Sequence, residues 1–538
     1  MALYSLGVQP LVNDLATHCC TDDNCKQSWY ADDSGAAGRL RYLRQWWDRL
    51  NSMGPKYGYY PNSKKTILLL KNPDDLAEAR AMFRGTGVKF KTDGHRYLGA
   101  ALGTFEFKRK YVENKVSKWI DDIKELSLLA VEQSQIAYSA YTKGICHRWT
   151  FLQRTVDDIS TLFVPLEQCL RETFLPAIIG RHVSDAERKL LSLPVRFGGL
   201  GIANPVETCK REYDASKTIT EDLTDLLYRQ EQDLALFDFN KQSNTIKELK
   251  KSKEVFNTNC FTEISEQMSE DMKRVMTLNK EKGSGCWLTA LPLLDHGYVL
   301  NKQEFRDALC LRYGWRIPNT PTFCGCGNKN SIDHTLICKK GGYVFMRHNN
   351  IRDLNAELQR EVCRDVVVEP SLIPIDNEEV EGARGDGARP DVSSRGLWST
   401  FERTFFDVCV LHPNAPSYQS TSIDQLYKKH EQRKMGKYNN RVINVERGSF
   451  TPLIYSTFGG WGPQATRYHK RLAEKIATKR NENYTHVLSH MRTRVRFSFL
   501  RSVLIAIRGE RGKKPAPPKP LSSTCFNLIT DMQEYESF

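Results

Sequence analysis

No run in the chain approaches the roughly 20 apolar residues that a membrane span requires, which argues against a helix-anchored membrane protein. The opening MALYSLGVQPLVNDL has neither a basic n-region nor a small-residue cleavage site, so it makes a poor secretory signal. Fifteen cysteines is an odd number in 538 residues without such a signal. A disulfide scaffold is therefore not expected, and a reducing cytosol or nucleus fits better. No internal repeat is visible. Disorder is not the default either, because apolar residues make up 40% and aromatics 10%.

What is present is enough length for several domains, each with its own core. A formal net charge of +14 favours a polyanionic partner without proving one. Residues 1–105 alternate short strand-like runs with helical ones. Leu40, Leu43, Trp46, Trp47 and Leu50 fall at helical spacing, and TILLLK at 66–71 reads as a strand. Residues 106–205 read as mostly helix and close at LPVRFGGLGIANP. Residues 206–285 are charged and helical in pattern, and the text turns apolar again at GCWLTALPLL. From about 322 come a Cys/His cluster, a helix (IRDLNAELQREVCRDV), then strands near VVVEP, RPDVSS, FFDVCVL and FTPLIYSTF. The tail GERGKKPAPPKPL reads as a Pro/Lys linker.

Three constellations carry chemistry. The first is Asp32-Asp33, between the strand-like QSWY and a Ser-Gly turn. Two-metal nucleotidyl transfer needs carboxylates converging at a turn, where they can hold Mg²⁺ against a triphosphate and a primer 3′ oxygen. The same pair is also what an ordinary solvated loop carries.

The second is Cys324-x-Cys326-x₇-His334-x₃-Cys338, three thiolates and an imidazole with the composition of a closed structural zinc site. Gly325 and Gly327 relieve the backbone where the first two ligands crowd. The one-residue gap between them is tighter than the usual two to four, so scattered reduced cysteines remain the alternative. His348 could replace a ligand, touch DNA, or simply pack near a helix start. His18, Cys19, Cys20 and Cys25 have no second pair and read as ordinary reduced residues.

The third is Arg389-Pro390-Asp391 followed by Asp407 within FFDVCVL. Two aspartates on neighbouring strands can share one Mg²⁺ while a lysine orients the attacking water, which is what phosphodiester cleavage requires. Each element has a plainer role as turn, ion-pair partner or solvated helix. Lys428, Lys429, Arg433, Lys434 and Lys437, with Tyr427 and Tyr438 between them, form a basic helical segment suited to phosphate contact. The late run RTRVRFSFLRSVLIAIRGERGKK is basic with an apolar face, and core packing is its expected role.

In this order the motifs resemble non-LTR retrotransposon reverse transcriptases that end in a zinc knuckle and a restriction-like PD-(D/E)xK endonuclease. YADD looks like the palm's metal hairpin, PNSKKTILLLK like the lysine motif after it, and HRYLGAALG like the primer-gripping hairpin. LQRT and LPVRFGGLGI are similar to the helical thumb. The resemblance implies Asp32 and Asp33 as Mg²⁺ ligands and Lys65, or its neighbour Lys64, as proton donor to pyrophosphate. It implies Zn²⁺ on Cys324, Cys326, His334 and Cys338, and Mg²⁺ on Asp391 and Asp407. Cys409 stands where the nuclease lysine belongs. In this branch the lysine comes from a K-x-x-K-Y helix, matched by Lys434-Met435-Gly436-Lys437-Tyr438, with Lys434 preferred over Lys437.

The expected architecture is α+β and multidomain. It comprises a partial reverse-transcriptase palm (1–105), helical thumb (106–205), helical linker (206–285), a linker module with the CCHC knuckle (286–350), a restriction-endonuclease-like α/β domain (351–510) and a flexible tail (511–538). The family places a first aspartate and the fingers upstream of the hairpin. Only 29 residues precede Tyr30, and none of Asp14, Asp22 or Asp23 has the strand context of the missing ligand. An N-terminally truncated chain is expected, its polymerase half inactive alone. The implied function is DNA nicking for target-primed reverse transcription in transposition, in nucleus or cytoplasm. The implied partners are target DNA and element RNA, with no membrane and no small-molecule substrate beyond dNTPs. A nucleic-acid-binding relic that does not cut is the alternative.

Overall fold

The computed structural model describes residues 2–20, 24–231, 236–373 and 389–509. Asp22, Asp23 and the expected tail at 511–538 lie outside the described residues. In chain order the first elements are α1 (Ala2–Cys19), β1 (Cys25–Tyr30), β2 (Asp33–Gly38), α2 (Leu40–Met53), β3 (Ile67–Leu69), α3 (Leu76–Met82), β4 (Lys89–Lys91), β5 (Gly94–Tyr97) and β6 (Ala100–Gly103). A helical stretch follows: α4 (Phe105–Glu132), α5 (Ser134–Lys143), α6 (Thr150–Thr155), α7 (Val164–Cys169), α8 (Leu175–Ile179), α9 (Asp185–Ser192), α10 (Pro205–Arg229), α11 (Phe239–Glu266) and α12 (Glu270–Asn279). The remainder holds α13 (Cys286–Thr289), α14 (Lys302–Tyr313), α15 (Ile332–Ile337), α16 (Tyr343–Arg360), β7 (Arg364–Val368), β8 (Val392–Arg395), β9 (Arg403–Leu411), α17 (Ile423–Asn444), β10 (Ser449–Ser456), α18 (Pro463–Arg480) and α19 (Tyr484–Arg508). The fold is mixed α+β. None of the described helices is long and apolar enough to cross a membrane.

Two compact units form, and they cut across the boundaries expected from the sequence. One gathers 1–125, 143–174 and 203–258; the other gathers 126–142, 175–202 and 259–538. The physical reason is that long helices do not end where composition changes: the chain leaves the first unit inside α4, at the start of α8, and again inside α11.

In the first unit the amphipathic pattern of α2 buries Trp46, Trp47 and Leu50 against Leu11 and Leu15 of α1 and Cys25 of β1. Gln27 organises this corner. Its buried amide donates to the Val12 carbonyl at 2.9 Å and accepts from Trp46 Nε1 at 3.0 Å and Trp29 Nε1 at 3.2 Å. A buried amide is tolerated because its donors and acceptor are occupied. β1 and β2 pair as an antiparallel hairpin, as do β5 and β6, whereas β3 and β4 are parallel. Leu98 and Gly99, both with positive φ (47° and 89°), make the two-residue turn of the second hairpin.

The second unit contains a four-stranded sheet in the order β10-β9-β8-β7. β9 pairs antiparallel with β8 and parallel with β10. Parallel neighbours need a crossover, and α17 supplies it. The two-residue period of β9 then sorts its side chains. Phe406 and Val408 join Ile351 of α16, Leu472 of α18 and Met491 of α19 in one core. Phe405 packs with Tyr438 of α17, and Cys409 and Leu411 with Leu426 and Tyr427 of the same helix. Asp407 is of this odd parity, so it lies on the α17 face.

The apolar, basic α19 is an internal tie, as core packing predicts. Arg496 donates to the Ser284 carbonyl at 2.9 Å, Arg501 to those of Gly297 and Val299 at 2.6 and 2.9 Å, and Arg508 makes a two-point contact with buried Asp307 at 2.7 Å on both arms.

Candidate functional site

The Cys/His cluster closes on itself. Gly327, in the left-handed region at φ 90°, returns its N–H to the Cys324 carbonyl at 2.8 Å. The Cys324 N–H in turn reaches the Asn328 carbonyl at 2.8 Å. This tight turn aims both thiols to one side, which explains the single-residue gap. Ser331 caps α15 by accepting the His334 N–H at 3.1 Å, fixing the third ligand one helical turn before Cys338.

All four ligand atoms lie within 4.8 Å of one another. Cys324 and Cys338 sulfurs are 3.9 Å apart, and the Cys326 sulfur is 3.2 Å from His334 Nε2. Two sulfurs on a tetrahedral zinc with Zn–S of about 2.3 Å would stand about 3.8 Å apart, so the donor set fits. The Asn328 backbone N–H, aided by neighbouring cluster side chains, pulls the Cys326 thiol down to about 6. Burial pushes Cys338 up. These four residues can hold a zinc-like ion.

On the sheet, Asp391 precedes β8 with both backbone groups held: its N–H bonds the Phe406 carbonyl at 2.9 Å, and its carbonyl accepts from Glu369 at 2.8 Å. Its Oδ2 accepts the Val408 N–H at 2.7 Å, one residue from Asp407. Lys434 of α17 makes an ion pair with Asp407 Oδ2. The Asp407 side chain is only 4% exposed and Lys434 25%. Burial raises the Asp407 carboxyl above its ordinary range; Lys434 opposes this, and Asp391 adds to it. Asp391, Asp407 and Lys434 are thus brought together. Lys437 is not with them: it is exposed, with its ammonium 4.8 Å from the Tyr438 ring centre.

Lys428, Lys429 and Arg433 are also exposed, whereas Tyr427 and Tyr438 are buried. Tyr427 donates to Glu281 at 2.7 Å and Tyr438 to the Arg389 carbonyl at 3.3 Å, so neither offers a ring face to a base. The basic surface of α17 stands without aromatic platforms.

At the N-terminal hairpin, Tyr30 pairs with Asp33 and the tip is Ala31-Asp32. Ala31 holds φ 55°, a strained choice for a residue with a Cβ. Asp32 and Asp33 are exposed, and Tyr59 donates to the Asp32 carbonyl at 3.2 Å. Lys64 and Lys65 are exposed before β3, and neither ammonium pairs with either aspartate among the described residues. Asp14 is bound by Arg49 at 2.6 and 2.7 Å, which holds its carboxyl below the usual range, so it is not a third hairpin ligand.

Three contacts escaped sequence reasoning. His348 of α16 places Nε2 3.2 Å from Asp391 Oδ2 and 3.1 Å from the Val408 carbonyl. Burial works against its protonation, yet the Asp391 contact carries its pKa above the ordinary value. Next to it, buried Arg347 donates to the Leu336 carbonyl of α15 at 3.1 Å. His412, just past β9, bonds Asp333 at 2.8 Å beside the cluster ligand His334. The sequence singles out His348 but not its partner, and the position of His412 directly after FFDVCVL is the other signal it offers. No family model matches the chain, and no curated protein matches it.

Proposed function

We propose that the chain is a retrotransposon-derived protein of the reverse transcriptase–endonuclease kind whose second unit nicks DNA. The observation that carries this reading is the convergence of Asp391, Asp407 and Lys434 from two strands and a crossover helix. Two adjacent carboxylates, one buried and raised, are what a divalent cation would relieve. Asp391 and Asp407 would hold Mg²⁺, which when bound would neutralise charge on the phosphate and acidify water. Lys434 would orient the attacking water, and the exposed Lys428, Lys429 and Arg433 would contact flanking phosphates. The zinc-like site on Cys324, Cys326, His334 and Cys338 would serve as the knuckle. The YADD hairpin supports the reverse-transcriptase relationship, with element RNA, target DNA and dNTPs as the ligands that relationship implies. Polymerisation by this chain alone is not part of the proposal.

One observation favours a second reading, a nucleic-acid-binding relic that does not cut. The Lys434 ammonium sits on Asp407 Oδ2, an atom that a cation would need. The test is incubation of the full chain with supercoiled plasmid and Mg²⁺ beside Asp391→Ala. Nicking that vanishes in the variant supports the endonuclease. Nicking retained in the variant sinks the site assignment, and DNA binding without any nicking moves the conclusion to the relic.

A further inference from the structure

The outward face of α18 lies on the opposite side of the sheet from α17 and takes no part in the proposed site. Tyr468, Leu472 and Ile476 of α18 pack inward against Phe406, Val408 and Leu453. Two adjoining open cavities run along the other side of the helix. One, of about 650 Å³, is lined by Arg360, Arg364, Arg471, Lys475 and Lys479 among others. The other, of about 520 Å³, is lined by Trp398, Arg467 and Lys470. Both share Arg471 and Glu474, so they form one trough.

Its charge is not cancelled from within. Glu474 is paired with Arg471 at 3.2 Å, and Glu361 with Arg480 at 2.6 Å. Arg360, Arg364, Lys470 and Lys475 have no carboxylate partner among the described residues. Arg467 lies 4.9 Å from the Trp398 ring centre, making a flat cationic end to the trough. From Arg467 to Lys479 the helix rises about 18 Å, a length of duplex axis over which each strand carries about five phosphates at about 3.4 Å of rise each.

We infer that this trough is a second nucleic-acid surface, binding a phosphodiester backbone away from the acidic pair. It deepens the nucleic-acid reading above but does not depend on cutting. Arg364 and Lys475 flank one end, Lys470 and Arg467 the other, so the strand follows α18. The chemistry is shared by DNA and RNA, and the element's RNA or the target duplex would each satisfy it.

The test is fluorescence anisotropy with the full chain, a labelled 20-base-pair DNA duplex and a labelled RNA hairpin, across a salt series. Lys470→Glu/Lys475→Glu is compared with wild type, and Lys470→Gln/Lys475→Gln guards against misfolding by charge reversal. Each lost phosphate contact should lower the slope of log affinity against log salt by about 0.9 on duplex DNA. Both doubles should therefore lose about two units of slope and at least tenfold in affinity on the nucleic acid that occupies the trough. Loss in the DNA arm assigns the trough to DNA, and loss in the RNA arm assigns it to RNA. Unchanged affinity and slope in both arms overturns the inference. Because the readout is binding, absence of nicking by wild type would leave this result interpretable.

Discussion

Replacing Lys434 with Met separates the electrostatics of the acidic pair from any catalysis. In the metal-free protein, held in EDTA, Asp407 would keep its burial and its neighbour Asp391 but lose its counter-ion. Removing one partner of a fully buried pair costs about 3–5 kcal/mol. Here Lys434 is a quarter open to water and Asp407 can take up a proton instead, so about 2–3 kcal/mol is expected. The sign with pH follows from Asp407 lying above its unfolded value already, through burial. Such a group lowers stability as pH rises from the unfolded value through the folded one, and loss of Lys434 raises the folded value further. The deficit of Lys434→Met should thus be full at pH 8 and shrink toward pH 4. Urea unfolding at both pH values measures it, and adding Asp407→Asn should recover about 1–2 kcal/mol at pH 8. A deficit that is the same at both pH values, or persists undiminished in the double variant, refutes the argument.

Cys326→Ser should lose its bound zinc by atomic absorption; unchanged metal content would return the cluster to scattered thiols. His348→Ala should still nick at saturating metal but need roughly tenfold more Mg²⁺ for half-maximal rate, with His348→Asn partly restoring it, since groups that orient a ligand carboxylate tune metal affinity by about that much. An identical Mg²⁺ requirement would reduce the Asp391 contact to packing. Burial lifts Glu281 to about 7, although Tyr427 and Ser456 donate to it. Its folded value stands above its unfolded one, so stability should fall as pH rises toward and through 7, and Glu281→Gln should flatten that dependence in thermal melts at pH 5.5 and 8.5.

The elements that were legible in the sequence are those fixed by local pattern. FFDVCVL forms a strand buried on both faces, as an apolar run between helices should be, α2 buries its tryptophans, and the LG step in HRYLGAALG makes the two-residue turn that left-handed geometry allows. The Cys/His cluster was legible because its four ligands lie within fifteen residues. What was not legible depends on long-range placement. Nothing in the spacing of His348 announces Asp391, because α16 meets the sheet through a core, including Ile351 and Leu354, assembled from residues far apart in sequence. The tyrosines of α17 interleave its basic residues in the sequence, which does not show the direction of each side chain. The sheet inserts both into its own core.

The same long-range contacts bear on where the second unit begins. Composition suggested a module starting near residue 286, yet the segment before it is bound to the loop that follows β9 of the four-stranded sheet. Arg274 of α12 donates to the carbonyls of Pro413, Tyr418, Gln419 and Thr421 at 2.9–3.2 Å. Glu281 is enclosed by Tyr427 of α17 and Ser456 of β10. On the other side of the cluster, consecutive residues of α16 divide their work: Arg347 holds α15, and His348 holds Asp391. α15 and Asp391 are thus fastened to adjacent positions of one helix. The cluster is better regarded as part of the frame that sets the acidic pair than as a separate module joined to it.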